Sequence, residues 1–168
     1  MKNIITRITS LFIICIFISS CEGGKEFEEP TIIGDWHTYE RTLQTSDPDI
    51  NNRFNLMFKI DLDNYINITK SFSERSVKTV VRKKGTESAN GLIQETTDSY
   101  QIIGDSLFIE DNLTGELKRS KYIISQKLLT TYQVITSKDL VKMAPDMGVS
   151  PELIPEGLVG VLKTQDKR

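Results

Sequence analysis

The chain has 168 residues, which suits one domain of ordinary size. It carries 21 basic and 23 acidic residues, and its formal net charge of −2 argues against a general nucleic-acid binder. Two cysteines exclude a disulfide-dense scaffold. The single histidine, His37, has no second histidine with which to hold a metal ion, so we expect no metal site.

The N-terminal segment has the order of features found in secretory signals. Lys2 and Arg7 precede an apolar run from Leu11 to Ile18, far shorter than the ~20 residues that a membrane-spanning helix needs. The string Ile18-Ser19-Ser20-Cys21 that follows resembles the lipobox of bacterial lipoproteins. That resemblance implies removal of residues 1–20 as a signal peptide and attachment of a diacylglycerol to Cys21. The alternative is an ordinary signal peptide whose cleavage site contains a cysteine.

Residues 21–31 are predicted to be a flexible, lipidated tether, because they are acidic and contain a single aromatic residue. We expect acyl chains on Cys21 to anchor the protein in the cell envelope, in the outer membrane of a Gram-negative bacterium. The acidic stretch Lys25–Glu29 resembles one that directs some lipoproteins to the cell surface. A solvated spacer explains it equally well, which leaves both faces of the membrane open. Cys15 would leave with the signal, so the mature domain would lack disulfides.

From Ile32 onward the chain is rich in residues that favour strands. The clearest pattern is five apolar residues at period two, which predicts a strand with one buried face: Phe54, Leu56, Phe58, Ile60 and Leu62. Asp63-Asn64 then predicts a hairpin turn, because both residues tolerate positive φ. We find no long helical pattern before residue 140.

The second half of the domain contains three predicted hairpin connections. They are Gly104-Asp105, Asn112–Gly115 and Gln126-Lys127, and they separate strands predicted near residues 100–103, 106–110, 117–125 and 128–136. Strands that recur every 8–12 residues favour a sandwich or a barrel. The segment 140–168 is predicted to be irregular, with a short helical turn at 150–156, begun by Ser150 and Pro151, and a last strand at 157–162.

Gly34-Asp35-Trp36 opens the first predicted strand and resembles the Gly-x-Trp motif of lipocalins. The resemblance covers most of residues 33–136, including the hairpin at Gly104 and the strands after it. It implies an all-β, antiparallel up-and-down barrel of about eight strands over residues 32–168, with Gly34 and Trp36 at the closed end. Lys163 is the candidate for a basic residue that stacks on Trp36. A curved sandwich is the alternative fold.

The string Gly104-Asp105-Ser106-Leu107 spells the nucleophile block of GDSL esterases, yet we expect no enzyme. In those enzymes the serine opens a helix, whereas Ser106 precedes a predicted strand. No Asp-x-x-His motif is present to supply a base, and without one a hydroxyl is a poor nucleophile. A hairpin turn is the preferred interpretation, and no cofactor is expected.

Two further motifs have simple explanations. Asp47–Asn51 matches the first three ligand positions of a calcium loop, but Asn52 and Phe58 replace the required Gly and Glu, so a solvated turn is preferred. The basic segments 75–84 and 118–121 would form an anion-binding patch only if their strands were neighbours. Otherwise they are solvated strand edges.

These observations lead to a non-catalytic prediction: a lipocalin-like envelope lipoprotein that binds or carries a small hydrophobic ligand inside its barrel. The candidate cavity or core residues, besides Trp36, are Phe54, Leu56, Phe58, Ile60, Leu62, Leu107, Ile109, Tyr122, Ile124, Tyr132 and Val134. The alternative is an envelope interaction module, or accessory subunit, that docks a partner protein by its surface. A solidly packed barrel would favour that alternative.

Overall fold

The computed structural model describes residues 31–86 and 89–168, and in it eight antiparallel strands close into one barrel. Each strand pairs with the next in sequence, and β8 pairs with β1. The strands are β1 (Gly34–Thr45), β2 (Ile66–Phe72), β3 (Ser76–Lys83), β4 (Leu92–Ile103), β5 (Ser106–Glu110), β6 (Leu117–Ile124), β7 (Leu128–Thr136) and β8 (Val159–Lys167). The predicted all-β, up-and-down barrel is confirmed. The predicted signal segment, Cys21 and the tether up to Pro30 lie outside the described residues.

Among the described residues, two α-helices accompany the barrel: α1 (Pro48–Ile60), which continues into a π-helical turn (Asp61–Tyr65), and α2 (Ser137–Met143). Short 3-10 turns occur at Ala89–Gly91 and Pro151–Leu153. The second of these turns follows Ser150, as predicted. Within residues 31–86 and 89–168, no helix has both the length and the apolar character needed to cross a bilayer.

The strand predicted over residues 54–62 is wrong, because these residues belong to α1 and the turn after it. Asp47 caps the helix, since its carboxylate accepts hydrogen bonds from the N–H groups of Asp49 and Ile50, and Pro48 follows it. The buried residues Ile50, Phe54 and Phe58 recur every four positions, which is a helical spacing. Every second residue of the period-two pattern is four positions from the next, so the same apolar residues fit a helix as well as a strand.

This correction changes the position of several predicted core residues. Leu56 is not in the core, because it lies on the outer side of α1 with 59% of its surface exposed. Phe54, Phe58 and Leu62 are buried, and Ile60 is half-buried, but none of them lies on a strand. Asp63 and Asn64 belong to the π-helical turn and do not form a hairpin turn.

The three hairpin connections predicted for the second half are confirmed. Gly104 and Asp105 join β4 to β5, and Gly104 adopts a φ of +60°, a conformation that glycine enters without steric cost. The chain between Glu110 and Leu117 joins β5 to β6, and residues 125–127 join β6 to β7. The predicted last strand is present as β8, which starts at Val159 and ends at Lys167, five residues beyond the predicted end at 162.

Two predicted inward residues on β7 face outward. Directly opposite residues of an antiparallel pair share a face, and Val134 is paired with Val161 while Tyr132 is paired with Lys163. Val134 is 65% exposed, whereas its neighbour Ile135 is buried. The strand was predicted correctly, but its inward and outward positions were exchanged, because a shift of one residue moves every side chain to the other face.

Two separate hydrophobic cores lie at opposite ends of the barrel. The first, which we call the helix-side core, packs α1, α2 and the following loop against strand ends: Leu43, Ile50, Phe54, Phe58, Ile135, Leu140, Ala144, Val149, Ile154, Leu158 and Leu162. The second, the Trp36 core, contains Ile32, Trp36, Phe72, Val77, Leu107 and Leu129. Since β1 contributes Trp36 to one and Leu43 to the other, the middle of the barrel separates them.

A β-bulge interrupts β1 between the two cores. Thr38 is paired with Asp166 on β8, yet Glu40 is paired with the adjacent Gln165. Tyr39 is therefore an extra residue without a counterpart on β8. Its ring is exposed and lies 5.7 Å from the Lys167 ammonium group.

The bulge decides which charged residue of β1 enters the barrel. Regular alternation from Trp36 would place Glu40 inside and Arg41 outside. The extra residue reverses the alternation, so Arg41 lines the interior and Glu40 is exposed.

Candidate ligand-binding lumen

A cavity of about 410 Å³ occupies the barrel between the two cores, and we call it the lumen. Eighteen residues line it, and all eight strands contribute at least one of them. An eight-stranded barrel has an interior that side chains fill or that holds one small ligand. A cavity of this volume falls in the range, about 300–1,000 Å³, that is typical of small-molecule sites.

Eight of the lumen-lining residues are apolar, and polar lining residues lie between or beside most of them on the same strands. They are branched aliphatic residues and one phenylalanine: Ile68, Phe72, Val77, Val81, Leu107, Ile109, Leu129 and Leu162. Leu107 and Ile109 were predicted as cavity residues, and they line the lumen from β5. Tyr122 and Ile124, also predicted, are not among its lining residues and pack half-buried against the Trp36 core.

The remaining wall is polar and positively charged. Arg41, Lys70 and Lys118 line the lumen together with threonine, serine and glutamine side chains, and within the described residues no acidic side chain lines it. Arg41 and Lys70 were not predicted to face the interior, and Lys118 was predicted to lie in a basic segment on a solvated strand edge or in a surface patch. The alternation of inward and outward residues along β6 and β2 could have shown that the two lysines face inward. The bulge before Arg41, in contrast, has no recognisable sequence pattern.

Lys70 is held by a buried carboxylate at the Trp36 side of the lumen. Its ammonium nitrogen lies 2.8 Å from Oδ2 of Asp166, whose side chain is completely buried. The Thr38 hydroxyl donates to the other oxygen, Oδ1, of Asp166. This arrangement satisfies a buried charge that would otherwise be costly.

Arg41 lies at the helix side of the lumen. The centre of its guanidinium is 4.5 Å from the ring centroid of Phe58 on α1, a cation–π contact. Burial lowers the pKa of Arg41, and the carboxylates of Asp166 and Asp61 act in the opposite direction. Arginine side chains in proteins stay protonated at physiological pH, so Arg41 is treated as a cation.

Lys118 on β6 marks the helix-side limit of the lumen. Lys118, Arg41, Gln133 and Leu162 line both the lumen and an adjoining pocket of about 250 Å³ beside α2. These side chains therefore stand at the boundary between the two spaces. The adjoining pocket also contains two acids, Glu116 and Asp139.

The opposite end of the barrel is closed around Trp36. Its indole is fully buried and donates a hydrogen bond of 2.7 Å to the Ile32 carbonyl. Arg168, directly after β8, places its guanidinium 4.3 Å from the indole ring and donates to the Thr31 and Ile33 carbonyls. Arg168 occupies the position for which Lys163 was the candidate, because Lys163 is paired with Tyr132 on the outward face.

Gly34 allows the close approach at this end. Its φ of +125° is a conformation that other residues rarely adopt. A Cβ atom there would also lie 3.4 Å from a guanidinium nitrogen of Arg168. The motif residues Gly34 and Trp36 therefore lie together with Arg168 at the closed end.

The GDSL-like string lies outside the lumen, apart from Leu107. The Ser106 hydroxyl is 3.2 Å from Oδ1 of Asp105 and accepts a 3.1 Å hydrogen bond from Arg119. His37 is on β1, where its Nδ1 atom is 3.1 Å from the Thr69 hydroxyl. In the part of the chain that the structure describes, no histidine contacts Ser106.

The two basic segments do not form one patch on neighbouring strands. The first lies mainly on β3 and the second on β6, and β4 and β5 separate these strands in the barrel. Lys78 pairs with Glu95 at 2.8 Å, and Lys121 pairs with Asp105 at 3.3 Å. Lys118 alone of these residues lines the lumen.

A larger concavity of about 940 Å³ lies outside the lumen, along β4 and β5. Apolar side chains contribute to it, among them Ile103 and Leu117, which are 63% and 62% exposed. Glu74 and Arg75 lie at the same surface. This groove follows the outer wall, whereas the lumen lies inside the barrel.

Comparison of the chain with protein-family models, with curated proteins and with solved structures found no match.

Proposed function

We propose that this chain is an envelope lipoprotein, anchored through Cys21, whose barrel binds or carries a small ligand with a hydrophobic part and does so without catalysis. The observation that supports ligand binding is the lumen of about 410 Å³. It lies between two packed cores instead of being filled by them. The membrane anchor is supported by the lipobox resemblance alone.

The barrel architecture gives this site two useful properties. Its wall is built from strands, which hold side chains more firmly than loops do. Its apolar residues and its polar residues are both numerous, so a ligand with one apolar and one polar part would match it better than a pure hydrocarbon.

Native mass spectrometry of the protein purified from its own host tests the proposal. We expect a bound small molecule in the wild type and its loss in Thr131→Phe, which fills the lumen. Val134→Phe is the matched control, because Val134 lies on the same strand but faces outward. A wild-type protein with a clean unliganded mass, and with no uptake of fluorescent fatty acids, would contradict the proposal.

The exposed groove along β4 and β5 favours a second candidate function, the docking of an envelope partner protein. A photo-crosslinking residue at position 103 would then capture a partner in the host, and the same residue at position 161 on β8 would not. Equal capture at both positions, or at neither, would speak against docking at this groove.

A further inference from the structure

We infer that Arg41 and Lys118 form an anion-binding subsite at the helix side of the lumen, which takes the acid group of an amphiphilic ligand. The inference rests on the proposed function, because it specifies the chemical class of a ligand held in the same cavity. It differs from that proposal in requiring a negative charge on the ligand.

The first argument is the balance of charge. Three cations and no acid line the lumen among the described residues. Asp166 neutralises Lys70, while neither Arg41 nor Lys118 takes part in an ion pair within the described part of the chain. Two neighbouring cations in the lumen wall, the half-buried Arg41 and the exposed Lys118, create a positive potential that attracts an anion.

The second argument is the way Arg41 is held. The bulge at Tyr39 turns Arg41 inward, and the Phe58 ring covers one face of its guanidinium. The N–H donors lie in the plane of the group, so a stacked face leaves them able to bind. A planar fork of donors matches the two oxygens of a carboxylate.

The third argument is the position of the apolar wall. Lys118 is the direct partner of Ile109 on β5, and Leu107 lies two residues further toward the Trp36 core. An acid group at Arg41 and Lys118 would therefore leave its apolar chain beside these residues. The acids Glu116 and Asp139 line the adjoining pocket and not the lumen. Asp139 therefore interacts with Lys118 from outside the cavity, where Lys118 helps to lower its pKa, and not at the place that the ligand would occupy.

Isothermal titration calorimetry with three eight-carbon probes tests the inference: octanoate, 1-octanol and octylamine. The full-length protein is kept in solution by an amphipathic polymer, and the polymer alone serves as the blank. We expect octanoate to bind on the order of tenfold more tightly than octanol. We also expect Arg41→Gln to remove that advantage without weakening octanol. Arg53→Gln on the exposed side of α1 is the matched control and should change neither affinity.

Each outcome has a defined meaning. Equal binding of octanoate and octanol by the wild type, or unchanged octanoate binding by Arg41→Gln, overturns the acid subsite and leaves lumen binding intact. If none of the three probes binds, both the acid subsite and ligand binding in the lumen are overturned. If Arg41→Gln fails to fold, octanoate binding is measured instead in Lys118→Gln and in the wild type at increasing salt concentration. Octanoate affinity that neither falls in Lys118→Gln nor weakens with added salt would overturn the inference.

Discussion

Asp166 is the residue whose charge we expect to matter most for the stability of the barrel, because its buried carboxylate binds both Lys70 and Thr38. We expect Asp166→Asn to lower the free energy of unfolding by about 3 kcal/mol, since it leaves the Lys70 ammonium without a counter-charge. Urea denaturation measures this. Glu95→Gln is the control, because the exposed Lys78–Glu95 pair should contribute no more than about 1 kcal/mol. Equal losses in the two variants would contradict the special role of Asp166.

A second residue, Asp139, makes the stability of the protein depend on pH in a way that can be tested. Burial would raise the pKa of Asp139, but hydrogen bonds from the Thr136 N–H and hydroxyl, with nearby lysines, lower it on balance. A carboxyl whose pKa is lower in the folded state stabilises the protein above its unfolded pKa, near 4, and loses that contribution as pH falls through the folded pKa.

We therefore expect Asp139→Asn to lower the free energy of unfolding by about 1 kcal/mol at pH 7, through loss of the cap on α2. The difference in free energy of unfolding between wild type and variant should become smaller below pH 4. Denaturation curves at pH 7, 4 and 3 measure it, and a gap that is constant over this range would contradict the assignment.

At the scale of elements, α1 is where sequence and structure disagree most. Phe54 is fully buried in the helix-side core, whereas Leu56 is 59% exposed. We expect Phe54→Ala to cost about 3–5 kcal/mol. Leu56→Ala should cost less than about 0.5 kcal/mol, as surface changes usually do. Similar losses at both positions would favour the strand that the period-two pattern predicts.

The elements also show what could be predicted and what could not. Turn residues such as Gly104 act locally, so the hairpins of the second half were predictable from them. Residues 54–62 fit both a strand and a helix period, and the choice of a strand was wrong. The helix begins in the segment Asp47–Asn51, which was interpreted as a solvated turn although Asp47 caps the helix and Pro48 is its first residue. The inward position of Arg41 depends on pairing between β1 and β8, more than 120 residues apart in the chain, and no local pattern encodes it.

At the scale of the whole molecule, Arg168 joins the last strand of the described barrel to the chain just before the first strand. It links the end of β8 to the backbone just before β1 and covers the Trp36 ring. We expect Arg168→Ala to lower the free energy of unfolding by about 1–3 kcal/mol, from a cation–π contact and charge-assisted hydrogen bonds. Chemical denaturation measures the loss, and Arg53→Ala is the control on an exposed surface. A loss no greater than that of the control would show that the closed end does not depend on Arg168.

The bulge at Tyr39 has a consequence for molecular evolution. Exchanging Glu40 and Arg41 would produce a chain of identical mass, composition and isoelectric point, yet the lumen would then present a carboxylate where it now presents a guanidinium. Under the proposed function, the two isomers would present opposite charges to a ligand at this position of the lumen. Ligand preference in barrels of this kind can thus diverge by changes that leave every bulk property of the protein untouched, provided that the backbone keeps its extra residue.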